Sequence, residues 1–179
     1  MKITFITGGA RSGKSSFALK EALKIEGQKA YIATAEALDD EMKERIDKHK
    51  IERGNEWDTY EEPLKLSGIL SGIKDKYTVA VLDCLTIWLS NLLVGTRMKE
   101  PEQQTIKETV RDLTGTLKDL GGLHLFIVSN EVGMGIVPEN RLARQFRDLA
   151  GKLNQEIAEI ADEVYLVTAG IPLKVKSST

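Results

Sequence analysis

The run Gly8-Gly9-Ala10-Arg11-Ser12-Gly13-Lys14-Ser15 decides how the rest of the chain is read. It fits the pattern G-x-x-x-x-G-K-[ST], and its neighbours supply the context the pattern needs. Residues 2 to 7 form a short β-rich run, and residues 15 to 26 carry Phe17, Leu19, Ala22 and Leu23 at helical spacing. Strand, glycine loop and helix in that order make a phosphate cradle. The glycines let backbone N–H groups point inward, the helix N-terminus adds positive potential, and Lys14 neutralises phosphate oxygens. In this reading Gly8 to Ser15 hold the phosphates of ATP or GTP, and the Ser15 hydroxyl ligates magnesium.

Working outward, Ala30 to Ala33 reads as a second strand, and Asp39-Asp40 caps a helix that carries Leu38, Met42 and Ile46 and runs to about Arg53. Pro63 to Ile73 reads as a short helix, Thr78 to Asp83 as a third strand, and Leu85 to Val94 as a buried helix, followed by a polar loop over 95 to 102. From Gln103 to Leu120 the residues Ile106, Val110, Leu113, Leu117 and Leu120 make the stripe of an amphipathic helix, which Gly121-Gly122 ends. Leu123 to Ser129 is a fourth strand. A glycine-bearing loop leads to a long helix from near Pro138 to about Ala161, then a fifth strand, Val164 to Thr168. Pro172 to Thr179 adds an edge strand or frays.

Alternating strands and helices imply right-handed crossovers and a mostly parallel central sheet with helices on both faces, the α/β class. With 179 residues and no internal repeat, residues 1–179 read as one nucleotide-binding catalytic domain.

Composition narrows the function classes. The chain is 41% hydrophobic and 29% charged, as a packed soluble core requires. Its 25 basic and 27 acidic side chains leave a formal charge of -2, which provides no field to attract nucleic acid. The N-terminal residues lack the apolar core of a secretory signal. The most apolar stretch, Val79 to Val94, is interrupted by Asp83 and falls short of the roughly 20 residues that span a bilayer, so no membrane insertion is expected. Cys84, the sole cysteine, can form neither an internal disulfide nor a cysteine-rich zinc site. A cytoplasmic location fits.

Three further features bear on chemistry. Val79-Ala80-Val81-Leu82-Asp83 puts a carboxylate at the end of a buried strand. Such an aspartate either caps the next helix or holds magnesium, and beside a phosphate loop the metal role leads. On the second helix Arg45, His49 and Arg53 share a face. Flanking cations keep an imidazole neutral and nucleophilic while attracting a triphosphate; equally, His49 continues the apolar stripe or is solvated. His124 opens a strand and reads as structural. The loop Asn130 to Arg141 leaves a strand at the phosphate-loop edge, and Arg141, Arg144 and Arg147 follow along one side of the next helix, facing phosphate, a neighbouring subunit or solvent.

Taken together, GGARSGKS (8–15), YIATAEALDDEMKERIDKHK (31–50) and NEVGMGIVPENRLARQFRDLAGKLNQ (130–155) resemble the bifunctional adenosylcobinamide kinase and adenosylcobinamide-phosphate guanylyltransferases of cobalamin synthesis. The likeness runs from the first strand to Lys176. It implies a RecA-like P-loop fold of three layers and two reactions: phosphorylation of adenosylcobinamide by ATP or GTP, then transfer of GMP from GTP to adenosylcobinamide phosphate. By the same match His49 carries the guanylyl group. GTP contacts comprise Gly8, Gly9, Ala10, Arg11, Ser12, Gly13, Lys14, Ser15, Ala33, Thr34, Ala35, Lys50, Ile51, Glu52, Arg53, Glu61 and Asp83, with Ser15 and Asp83 on Mg2+ and Lys14 and His49 catalytic. Trimeric assembly, with substrate sites near subunit contacts, is also implied. Two departures stand out: Asp83 stands where some relatives have glutamate, and Lys48-His49 where others have a histidine pair. A single-activity small-molecule kinase and a non-catalytic nucleotide switch are the alternatives that the loop alone allows.

Overall fold

Alternate side chains along the central strands divide between two apolar layers, which is the period-two signature of a sheet covered on both faces. The computed structural model describes residues 1–37, 40, 43, 44, 46, 50, 51, 54, 56–94 and 103–177. Its strands are β1 (Lys2–Gly8), β2 (Lys29–Ala33), β3 (Asp58–Glu61), β4 (Val79–Asp83), β5 (His124–Asn130), β6 (Glu163–Thr168) and β7 (Ile171–Lys176). The helices are α1 (Lys14–Leu23), α2 (Leu66–Ile73), α3 (Leu85–Val94), α4 (Gln103–Leu117) and α5 (Arg141–Ile160).

The strands form one sheet in the order β3-β2-β4-β5-β1-β6-β7. All neighbouring pairs are parallel except β6 with β7. On one face Ile3, Phe5, Ala30, Ile32, Ala80, Leu82, Leu125 and Ile127 pack against α2, α3, α4 and α5 through Leu70, Trp88, Leu113 and Leu153. On the other, Ile6, Tyr31, Val79, Val81, Phe126 and Val128 pack against Ala18, Leu19 and Ala22 of α1 and against Trp57. Each such aliphatic burial contributes roughly 1.5–3 kcal/mol.

Local chemistry sets the helix ends. Asn140 caps α5 by accepting from the Ala143 N–H at 3.0 Å. The α1 N-cap is Gly13, which has no side chain to cap with. No side chain at the N-cap therefore occupies the first N–H groups of α1, the kind of helix end at which anions bind in proteins.

One element differs from the sequence reading. Strand β3 was not expected, because Asp58-Thr59-Tyr60-Glu61 has acids at both ends and only Tyr60 is partly buried. It is an edge strand, held by pairing with β2 and by the Tyr60 hydroxyl, 2.8 Å from that of Tyr77. At the other edge Ala169 and Gly170, both at positive φ, turn the chain back so that Ile171–Lys176 pairs antiparallel with β6. Within the expected helix up to Arg53, Asp40, Lys43, Glu44, Ile46, Lys50 and Ile51 are helical; Leu38, Asp39, Met42 and the rest lie outside the described residues, as do the expected loop 95–102 and residues 178–179. Among the described residues no helix is long and apolar enough to cross a membrane.

Candidate active site

The register of the sheet brings one set of strand ends to one edge. Gly8 lies opposite Asn130 and Val167, Ala33 opposite Asp83 and Glu61, and Asp83 opposite Val128. Residues separated in sequence by more than a hundred positions thus border one crevice at the carboxyl ends of parallel strands, where open α/β sheets bind ligands.

The phosphate loop is held on both flanks. The Glu131 N–H donates to the Gly8 carbonyl at 2.9 Å, and the Gly170 N–H donates to the Ser12 carbonyl at 2.9 Å. A Cβ on Gly8 would overlap the Val167 carbonyl oxygen of the neighbouring strand, and Gly13 has φ 94° with Gly170 Cα 3.3 Å from where its Cβ would be. Only glycine fits at either position. Lys14 is 6% exposed, and its Nζ donates to the Gly9 carbonyl at 2.6 Å. Gly9, Ala10 and Arg11 are exposed, Ser12 is buried and Ser15 half-buried.

Asp83 is half-buried on the α1 side of the sheet, and its Oδ2 accepts a 2.8 Å hydrogen bond from the Tyr31 hydroxyl. Next to it Cys84 is buried; burial, and behind it the Asp83 carboxylate, pushes the thiol up to about 11, against hydrogen bonds to Thr86 and the Ile87 backbone and, least of all, the Lys14 ammonium. The two opposite charges of the expected site therefore act on one buried atom. A thiol kept protonated is inert as a nucleophile at neutral pH. The Ser15 hydroxyl and the Asp83 carboxylate are hard oxygen donors of the kind magnesium takes, one or two from protein and the remainder from phosphates and water.

Thr34, one of the expected nucleotide contacts, is tied into the protein on every side. It is 0% exposed. Its hydroxyl donates to the Cys84 carbonyl and accepts from the Cys84 N–H, both at 2.8 Å. Its N–H donates to the Asp83 carbonyl at 3.1 Å, and its own carbonyl accepts from Asn91 Nδ2 at 2.8 Å. Every polar group of Thr34 has a protein partner, and its hydroxyl clamps Cys84 beside Asp83. Ala33 and Ala35 beside it are half-buried.

Of the remaining expected residues, Lys50 and Glu61 meet in an ion pair at 2.7 Å, which ties the second helical region to the end of β3. Ile51 is exposed. His49, Glu52 and Arg53 lie outside the described residues, as does Arg45. Arg144 donates to the carbonyls of Pro138 and Glu139 at 3.0 and 2.6 Å, closing the turn before α5, while Arg141 is exposed and Arg147 half-buried. His124 begins β5, at the end of the sheet away from the loop, stacked on Phe126.

Residues 4–175 match the family described as "Cobinamide kinase / cobinamide phosphate guanyltransferase". The chain belongs to this family. It is 40% identical over 179 residues to the "Bifunctional adenosylcobalamin biosynthesis protein CobU" of Escherichia coli (strain K12), covering 96% of this chain and 98% of that protein. It is 43% identical, with the same coverage, to the protein of that name from Salmonella typhimurium. A third relative, the CobP protein of Pseudomonas aeruginosa, is 39% identical over 173 residues, 96% of this chain and 95% of its own. The chain is thus an enzyme of the cobinamide kinase and cobinamide phosphate guanylyltransferase type. Its fold is that of P-loop ATPases: a type III secretion system ATPase superposes with TM-score 0.56 at 12% identity, over 93% of this chain and 52% of that one. The RadB recombinase superposes with TM-score 0.51 at 10% identity, over 92% and 73%.

Three residues of this family member escaped the sequence reading. Tyr31, Asn91 and Thr86 all hold the site from behind, the last by accepting from the Asn130 N–H and Nδ2 at 3.2 and 3.0 Å. For Tyr31 a signal existed: a tyrosine inside a buried strand must find a partner for its hydroxyl.

Proposed function

We propose that the chain carries out both reactions of its family at one nucleotide site, using His49 as the covalent carrier of GMP. The observation that supports this is the convergence at one sheet edge of a glycine cradle, Lys14 and Asp83, beside a β2 end tied through Glu61 to the helical segment containing Lys50. In the kinase step the loop N–H groups and Lys14 hold the donor's β- and γ-phosphates while the aminopropanol hydroxyl of adenosylcobinamide displaces the nucleoside diphosphate. In the second reaction the His49 imidazole forms a bond to the α-phosphorus of GTP and the bond to pyrophosphate breaks. The phosphate of adenosylcobinamide phosphate then attacks that phosphorus, releasing the imidazole and forming adenosylcobinamide-GDP. Lys14 stabilises the negative charge that develops on the leaving phosphates. Magnesium, held by Ser15 and Asp83, supplies further charge neutralisation when bound.

The remaining contacts in this reading are those of the family match: Gly8 to Ser15, Ala33 to Ala35, Lys50 to Arg53, and Glu61. We also infer one catalytic domain over 1–179, a cytoplasmic location, no nucleic-acid partner and a homotrimer. Exposed apolar side chains support assembly: Ile171, Leu173 and Val175 on one face of the edge strand β7, and Met134, Ile136 and Val137 in the loop after β5.

The test is GTP labelled on the α-phosphate, incubated with protein and magnesium beside a His49→Ala variant and a γ-labelled control. Label kept by wild type alone, labile to acid and stable to alkali, identifies the phosphoramidate. Absence of α-label while nucleotide is bound removes the histidine carrier and leaves a kinase.

A further inference from the structure

The Tyr31–Asp83 contact joins two strands across 52 positions of sequence, and it is placed where a carboxylate's direction matters. Tyr31 points to the α1 side of the sheet and is 3% exposed. Its ring is wedged edge-on against Trp57, with centroids 6.2 Å apart. Because Ala33, two residues further along β2, lies opposite Asp83, the tyrosine hydroxyl reaches diagonally up the sheet to Asp83 Oδ2 at 2.8 Å. A second strut acts on the same residue from its backbone: the Asp83 carbonyl accepts from Thr34, whose hydroxyl grips the next peptide.

These contacts divide the labour at Asp83. The backbone clamp fixes where the residue sits, and the Tyr31 hydroxyl fixes how its carboxylate is turned. With Oδ2 accepting from the hydroxyl, rotation of the carboxylate is restrained. The choice of donor matters as well. A lysine or arginine at this position would hold the carboxylate but neutralise it, whereas a phenol orients the group and leaves its full negative charge for a cation. Outer hydrogen-bond partners of this kind typically change metal affinity 10–100-fold when removed.

We propose that Tyr31 is a positioning residue that presents Asp83 to the divalent cation of the bound nucleotide. The proposal rests on the assignment of Asp83 as a metal-holding carboxylate, and the experiment separates the two. Affinity for a fluorescent GDP analogue is measured in EDTA and across a Mn2+ titration, with Mn2+ binding followed independently by electron paramagnetic resonance. The proteins are wild type, Tyr31→Phe, Asp83→Asn and the double variant. Phenylalanine keeps the ring against Trp57, and circular dichroism with the thermal midpoint of each variant checks that it is folded under the titration conditions, because a partly unfolded population would raise every apparent dissociation constant alike.

Tyr31→Phe should weaken Mn2+ binding to the nucleotide complex about tenfold and leave nucleotide affinity in EDTA unchanged. In the Asp83→Asn background the same change should have no effect on Mn2+. An equal loss of nucleotide affinity with and without metal would make Tyr31 a structural residue and overturn the proposal. Unchanged Mn2+ affinity in Tyr31→Phe, with a large loss in Asp83→Asn, would overturn it while sparing the metal role of Asp83. If Asp83→Asn itself leaves Mn2+ binding intact, the underlying assignment fails and the proposal with it.

Discussion

Replacing Thr34 by valine removes one hydroxyl and almost no volume, and the structure assigns that hydroxyl two tasks. It accepts from the Cys84 N–H and donates to the Cys84 carbonyl, each at 2.8 Å, inside a site with no exposure. The carbonyl retains a second partner, the Trp88 N–H at 3.1 Å. The Cys84 N–H has none in its place, and a buried unsatisfied donor costs about 1–3 kcal/mol. Thr34→Val should therefore lose about 2 kcal/mol, seen as a fall in the urea midpoint at constant slope and a drop in Tm of roughly 4–8 °C. Thr34→Ser keeps the hydroxyl and sheds one methyl, so it should lose about 1 kcal/mol. Chemical unfolding of the three proteins, followed by tryptophan fluorescence, reads both numbers. A valine variant as stable as wild type but weakened in nucleotide binding would mean that the hydroxyl faces the ligand, and the clamp would be refuted.

The glycines of the loop should separate sharply. Gly8→Ala forces a Cβ onto the Val167 carbonyl in the middle of the sheet, whereas a Cβ on Gly9 meets open space. The first should cost about 3 kcal/mol and abolish the thermal shift given by nucleotide, the second less than about 1 kcal/mol; equal unfolding midpoints would contradict this packing. His124 should give the fold an acid-sensitive component. Burial, then the nearby Lys2 and N-terminal charges, hold its imidazole down at about 4 against the opposing pull of Glu163 and Asp162. An unfolded histidine titrates near 6.5, so between these values the unfolded chain binds the extra proton and stability falls as pH falls. Allowing for its partial exposure, this should remove about 1 kcal/mol between pH 7 and pH 5. His124→Asn should flatten that part of a stability–pH curve, and an unchanged slope there would show that other groups carry it.

How far the sequence reaches is visible in particular residues. Gly8 to Ser15, the strand before them and the helix after them were legible, because a strand's alternation, a helix's three-to-four spacing and glycine at crowded or left-handed positions are local requirements. The same holds for the stripe of α4 and for the buried run leading to Asp83. Strand β3 was illegible: its residues carry no alternation, and its pairing energy comes from β2. The clamp that Thr34 makes on Cys84 was illegible for the same reason. Threonine at that position is as consistent with ligand contact as with a clamp until its partner is known.

By itself, then, the sequence determined the phosphate cradle, the alternation of elements and the family, each encoded in contiguous residues. Only the tertiary structure decided the strand order that brings β4 and β1 to either side of β5, and the supports of Asp83 that this order creates. The hydrogen bonds Tyr31 to Asp83, Thr34 to Cys84 and Asn91 to Thr34 span 52, 50 and 57 positions. No local pattern records such separations, because crossover connections bring the two ends together, and the chain between them need only be long enough to make the return.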